Sequence, residues 1–152
     1  MINRLPCGIF TATQDRALDF QSITSPLVIY FYPKDNTPGC TIEAQEFAAL
    51  SEEFGALGVE VLGVSRDSLK SHANFRAKFE LPFDLISDAD ERLCQHFDVI
   101  QLKKLYGKEV RGIVRTTLFI ASTGVVLQRW NQVKSAGHAA EVLAAVRAHL
   151  TR

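Results

Sequence analysis

The feature that most constrains this chain is one short run, Leu27-Val-Ile-Tyr-Phe-Tyr32, closed by Pro33. It is continuously apolar, β-branched and aromatic, without the alternation of a half-exposed strand. Such a run suits a strand buried on both faces, and those strands occur in parallel or mixed sheets covered by helices. A loop of turn-formers follows, Lys34-Asp-Asn-Thr-Pro-Gly39. Ala44, Phe47, Ala48, Leu50 and Phe54 then recur as one face of a helix that starts near Cys40, with Gly55 and Gly58 ending it.

The pattern repeats downstream. Val59-Glu-Val-Leu-Gly-Val64 reads as a second strand, and Ser65 to Glu80 as a helix capped by Asp67 or Ser68. Phe83-Asp-Leu-Ile86 is a short strand, and Ser87 or Asp88 caps a short helix bearing Leu93 and Phe97. Residues 100 to 112 are polar, contain Tyr106-Gly107 and read as a loop. Arg115 to Ile120 and Val125 to Trp130 flank Ala-Ser-Thr-Gly as a β-hairpin, and His138 to Leu150 is a final amphipathic helix. This order predicts an α/β domain over residues 1–152, a central mixed β-sheet flanked by helices with a C-terminal β-hairpin plus helix. A thioredoxin-like fold fits that layout.

Length and charge remove several function classes. At 152 residues the chain suits one domain with one main core. Lysine plus arginine balance aspartate plus glutamate at 17 each, so no whole-chain field draws in nucleic acid or an acidic membrane surface. The N-terminus lacks the long apolar run of a secretory signal, and Leu27 to Tyr32 is too short to cross a bilayer, which predicts a cytoplasmic protein. Three widely spaced cysteines, Cys7, Cys40 and Cys94, form no disulfide framework and leave at least one thiol free.

Cys40 is the thiol placed for chemistry. It follows a Pro-Gly pair between a buried strand and the start of a helix, where unpaired amides and the helix dipole favour an anion. A thiolate there is a nucleophile; the alternative is an ordinary core cysteine. The histidines His72, His96 and His138 lack metal-ligand spacing and read as structural or solvent-facing.

The surrounding residues add a specific likeness. Pro33-Lys-Asp-Asn-Thr37-Pro-Gly-Cys40 resembles the Pro-x-x-x-Thr-x-x-Cys motif of the peroxiredoxins. The longer run from Phe31 to Ala44 resembles the bacterioferritin comigratory protein (peroxiredoxin Q) branch, as do Gly63 to Ser68, Leu85 to Asp88, Gly112 to Thr117 and Gly137-His138. The resemblance implies a thiol peroxidase acting on hydrogen peroxide and organic hydroperoxides, with no metal or organic cofactor. Cys40 would be the peroxidatic nucleophile. Thr37 would hydrogen-bond the thiolate and the peroxide through its hydroxyl, Pro33 would shield the pocket, and Arg115 would stabilise the thiolate and the transferred oxygen. Glu43, read as part of the first helical turn, suits the helix dipole; a contact to Arg115 is the second reading.

Two departures concern recycling. Many members of this branch carry a second, resolving cysteine five residues after the first, where Gln45 stands here; others carry it in the next helix, where Arg76 stands. A one-cysteine cycle follows as the expectation, resolved by an external thiol such as thioredoxin, glutaredoxin or glutathione. Cys94, beside apolar Leu93 and Phe97, reads as a buried structural thiol, and Cys7 as a second conceivable partner for Cys40. The likeness also implies a monomer or a weak homodimer. A thioredoxin-like disulfide reductase is the rival enzyme, but Thr37 replaces the first cysteine of Cys-x-x-Cys, and Val114-Arg115 replaces the proline expected before Thr116. A non-enzymatic peroxide sensor is the third reading.

Overall fold

The structure, a computed structural model, describes residues 3–151. Strands β1 (Ile9–Ala12) and β2 (Arg16–Asp19) form a hairpin, and a 3-10 turn over Phe20–Ser22 leads to β3 (Leu27–Phe31). Helices α1 (Pro38–Ala49) and α2 (Ser51–Ala56) carry the chain to β4 (Glu60–Ser65), and α3 (Leu69–Lys78) to β5 (Asp84–Ser87). After α4 (Arg92–His96) come β6 (Ile100–Leu105) and β7 (Lys108–Ile113), then β8 (Thr116–Ile120), β9 (Val126–Trp130) and α5 (His138–Leu150).

Seven strands form one mixed sheet in the order β2-β1-β5-β4-β3-β8-β9. The pairs β3–β4 and β4–β5 are parallel and the others antiparallel. All five residues of β3 are buried, as an unbroken apolar run requires. Its side chains alternate between two cores. Leu27, Ile29 and Phe31 pack with Leu93, Cys94 and Phe97 on one face. Val28, Tyr30 and Tyr32 pack with Cys40, Phe47, Phe75 and Val142 on the other. Burying each such large side chain contributes roughly 1.5–3 kcal/mol, so this strand anchors both layers.

Several expectations need correction. Residues 100 to 112 are not a loop: β6 and β7 pair as a separate two-stranded ribbon around Tyr106-Gly107, both at positive φ. Its exposed, polar composition hides it from hydropathy reading. The β1–β2 hairpin was likewise absent from the expected order, because it turns on Gln14-Asp15 rather than an Asn-Gly pair. The first helix stops at Ala49, and Gly55 lies inside the separate α2. Ser65 closes β4 instead of opening a helix, which starts at Leu69 with the Ser68 hydroxyl accepting from the Ser71 amide. The α4 cap position is Glu91, while Asp88 reaches in to accept from the amides of Leu93 and Cys94.

Register positions the site. β8 runs antiparallel to β3 with Phe31 opposite Thr116, which puts Arg115 beside the C-terminal end of β3. The chain leaves that same end through residues 32–37 into α1. On one side of β3 the chain winds to β4 and β5, on the other to β8, so this end is a point where the winding reverses and sites form.

Candidate active site

Cys40 is the third residue of α1 and is 1% exposed. Thr37 is the extended N-cap residue, and Pro38 holds the first helical position, where a missing N–H costs nothing. The Thr37 side chain makes no capping hydrogen bond; its hydroxyl donates to the Lys34 carbonyl at 2.9 Å. The first-turn amides of Gly39 and Cys40 therefore receive no side-chain cap, and helix geometry leaves such groups available to an anion. Thr37 differs from expectation here: its hydroxyl stabilises the loop that presents Cys40 instead of bonding the sulfur.

Arg115 bridges the thiol and a buried carboxylate. Its Nη2 donates to Cys40 Sγ at 3.2 Å and its Nη1 donates to Glu43 Oε1 at 3.0 Å. Gly39 makes room for this. A Cβ there would lie 2.8 Å from Arg115 Nη2 and 3.1 Å from Ser135 Oγ. The glycine of the Pro-Gly pair thus serves close approach of the guanidinium to the helix start as well as the turn.

Glu43 corrects the reading that favoured the helix dipole. α1 starts at Pro38, so Glu43 lies beyond its first turn, and the carboxylate pairs with Arg115. Burial pushes the Glu43 carboxyl up to about 7, opposed by the adjacent guanidinium. Among the described residues, Glu43 Oε2 and the Tyr30 hydroxyl are buried without hydrogen-bond partners. The same desolvation, together with the charges of Glu43 and Cys40, keeps Tyr30 protonated.

Lys103, assigned to a featureless loop from sequence, lies on β6 close enough to Cys40 and Arg115 to feel both charges. Its ammonium donates to the Ile113 carbonyl, and burial with the nearby Arg115 lowers its pKa. Only the pairing of β6 with β7 reveals this residue, since a polar ribbon carries no hydropathy signal. Pro33 is half-buried at the end of β3.

The remaining thiols lie elsewhere. Cys94 is fully buried in the core on the opposite face of the sheet from Cys40, and burial beside Asp88 raises its pKa strongly. Cys7 is exposed and accepts from Gln21 Nε2 at 3.0 Å. Gln45 is exposed on α1, while Arg76 donates to the Phe83 carbonyl at 3.0 Å and lies 3.5 Å from Asp84. His138, buried, shares a hydrogen bond with the Thr117 hydroxyl at 2.8 Å, and His96 with the Arg4 carbonyl at 2.8 Å, both structural. No helix among the described residues is long and apolar enough to cross a membrane.

Comparison with known proteins points to one family. The AhpC/TSA family matches residues 10–129. Peroxiredoxin Bcp of Xanthomonas campestris is 58% identical over 123 residues, covering 81% of this chain and 77% of that protein. Peroxiredoxin Bcp of Bacillus subtilis is 46% identical over 117 residues, covering 77% and 74%. The solved structure of Xanthomonas campestris peroxiredoxin Q has a TM-score of 0.90 at 46% identity, over 99% of both chains. That of the bacterioferritin comigratory protein of the same organism, described for its alkyl peroxide reduction activity, has a TM-score of 0.89 at 49% identity, over 94% of this chain and 92% of that one. With the family spanning most of its length and a thiol held against an arginine at the end of a buried strand, the chain belongs to the AhpC/TSA family as a peroxiredoxin, a thiol-dependent peroxidase.

Proposed function

We propose that Cys40 is the peroxidatic cysteine and that an external thiol completes the cycle. The observation that carries this reading is the Arg115 guanidinium, which spans Cys40 Sγ and Glu43. As the thiolate attacks, an S–O bond forms, the O–O bond breaks and charge moves to the leaving oxygen. A fixed cation and helix-start amides stabilise that charge more than they stabilise bound peroxide. The leaving oxygen takes a proton, giving water or an alcohol, and Cys40 becomes a sulfenic acid. Pro33, half-buried over the loop, limits water around that product, and Thr37 orders the loop from which its hydroxyl can turn to the peroxide. The alkyl peroxide reduction described for the Xanthomonas campestris relative supports organic hydroperoxides as substrates beside hydrogen peroxide.

Resolution then consumes two external thiols. The first displaces water from the sulfenic acid to form a mixed disulfide, and the second releases reduced Cys40 and an external disulfide. Three placements favour this over an internal disulfide. Gln45 and Arg76 carry no sulfur, Cys94 lies across the sheet from Cys40, and Cys7 precedes β1, with β5 and β4 between that strand and β3. Thioredoxin, glutaredoxin or glutathione suits the role, in a cytoplasm where such thiols are kept reduced. The chain would act as a monomer or a weak homodimer. Peptide mass spectrometry after one equivalent of peroxide tests the cycle. The expected product is Cys40 bearing one oxygen, which a small thiol converts to a mixed disulfide. A Cys40–Cys94 or Cys40–Cys7 bond within one chain would overturn it.

A further inference from the structure

A cleft of about 680 Å³ opens at the edge of the sheet, between the end of α4, the start of β8 and the end of β9. That volume lies within the range of small-molecule sites. Phe97, Asp98, Val114, Thr116, Arg129 and Asn131 are among the residues that line it. Phe97 and Leu118 belong to the core that holds Cys94, and Arg129 stands opposite Leu118 in the β8–β9 register. Directly opposed residues share a face of the sheet, so the cleft lies on the side away from Cys40.

Two opposite charges line this cleft without meeting. Arg129 is half-buried, and its Nε donates to Asn131 Oδ1 at 2.7 Å. Among the described residues its two terminal nitrogens reach no acceptor and its guanidinium pairs with no carboxylate. The other half-buried arginines, Arg16, Arg66, Arg76 and Arg115, each pair with one. Asp98 is exposed at a positive φ of 54°, and its carboxylate likewise has no partner among the described residues. Its charge still reaches Arg129, opposing the fall in pKa that burial imposes there. A guanidinium that has lost water without gaining a partner favours an incoming carboxylate, which can accept from both terminal nitrogens at once. Asn131 has spent its carbonyl oxygen on Arg129 and keeps its amide group as a further donor.

We propose that this cleft binds a small molecule with an α-amino-acid head, its carboxylate on Arg129 and Asn131 and its ammonium on Asp98. A bare anion would meet the Asp98 charge and a bare cation the Arg129 charge, whereas a zwitterion satisfies both. The space beyond the head, against Phe97 and Val114, accepts a longer remainder. A free amino acid and a γ-glutamyl peptide share this head chemistry, and the peptide fills more of the cleft. The site is independent of the peroxidatic reading, since it lies across the sheet from Cys40.

The test is an amide NMR titration of the full, reduced chain with S-methylglutathione, which carries the head and no reactive thiol. L-glutamine supplies the head alone, N-acetyl-L-glutamine lacks the ammonium and L-glutaminamide lacks the carboxylate. S-methylglutathione should give saturable shifts at the amides of Asp98, Thr116 and Gln132, and each capped compound should bind at least about tenfold more weakly than L-glutamine. Arg129→Met and Asp98→Asn should each weaken S-methylglutathione binding at least about fivefold. Asparagine tolerates the positive φ at 98, so Asp98→Asn decides the matter if Arg129→Met fails to fold. Variant spectra that differ only around the cleft report intact folding without reference to Cys40. Tighter binding of S-methylglutathione than of L-glutamine would assign the cleft to γ-glutamyl peptides, and equal binding to the amino-acid head alone. No saturable shift below about 10 mM, capped compounds binding as well as L-glutamine, or shifts confined to residues around Cys40 would overturn the proposal.

Discussion

Replacing Arg115 by methionine removes the one side chain that joins Cys40 to Glu43, and its cost can be worked from the geometry. Nη2 stands 3.2 Å from Sγ, and the Arg115 side chain is only 19% exposed. Two unit charges about 4 Å apart interact by about 4 kcal/mol at an effective dielectric of about 20, an upper bound because Glu43 shares the cation. Loss of one donor aimed at charge developing in a transition state costs about 3–4 kcal/mol, or about 10²–10³ in rate. The Arg115→Met enzyme should therefore oxidise that much more slowly with hydrogen peroxide in a quenched-flow, single-turnover assay. Rates are compared across the pH range of folded protein, and at least about tenfold of the difference should remain throughout. Folding should suffer less. Without the cation, the Glu43 carboxyl rises further above 7 and stays neutral at neutral pH, which limits the destabilisation to about 1–2 kcal/mol. Arg115→Lys should recover only part of the rate, since one ammonium cannot bridge both partners as the planar fork does. An Arg115→Met rate within about threefold of wild type across the pH range would refute the reasoning that this contact stabilises the transition state.

Three further outcomes follow from neighbouring residues. Glu43 is held at about 7 in the fold against an ordinary 4.5, so the native state keeps a proton that the unfolded chain has released. Its contribution is complete below about pH 4.5 and is lost as pH rises through about 7, by on the order of 3 kcal/mol. Thermal unfolding should then show Glu43→Gln gaining on wild type between about pH 5 and about pH 8, and a pH-independent difference would contradict that. Gly39→Ala places a methyl 2.8 Å from Arg115 Nη2, at the end of a flexible side chain. Stability should change by less than about 1 kcal/mol while peroxide oxidation falls at least about tenfold; an unchanged rate would mean that the guanidinium position is not critical. Cys94→Ala opens a small cavity in the core opposite the site, so urea unfolding should report a loss of about 1–2 kcal/mol with steady-state peroxidase turnover intact, and lost turnover would return Cys94 to the cycle.

What the sequence disclosed, and what it concealed, follows from the physics of each element. β3, α5 and the β8–β9 hairpin are legible because burial writes itself into hydropathy: five consecutive buried residues leave no room for polar ones. The Cys40 loop is legible because turn residues, a helix start and a recurring motif coincide there. The β6–β7 ribbon is hidden because it is mostly exposed, and with it Lys103, whose approach to Cys40 depends on strand pairing. The Arg115–Cys40 contact arises from the β3–β8 register, a long-range fact that only the motif resemblance anticipated. His72 and Asp35 show the same limit, since 37 positions separate two groups that stand 2.7 Å apart in the fold.

The central claim is that Cys40 is the atom that meets peroxide. Purified, reduced protein and a Cys40→Ser control are mixed separately with hydrogen peroxide and with an organic hydroperoxide, and peroxide loss is followed under a thiol reductant. The account requires rapid loss with the wild type, far above that of free thiol alone, and only the background rate with Cys40→Ser. Equal loss from the two proteins would show that Cys40 is not the nucleophile and would contradict the account at its base.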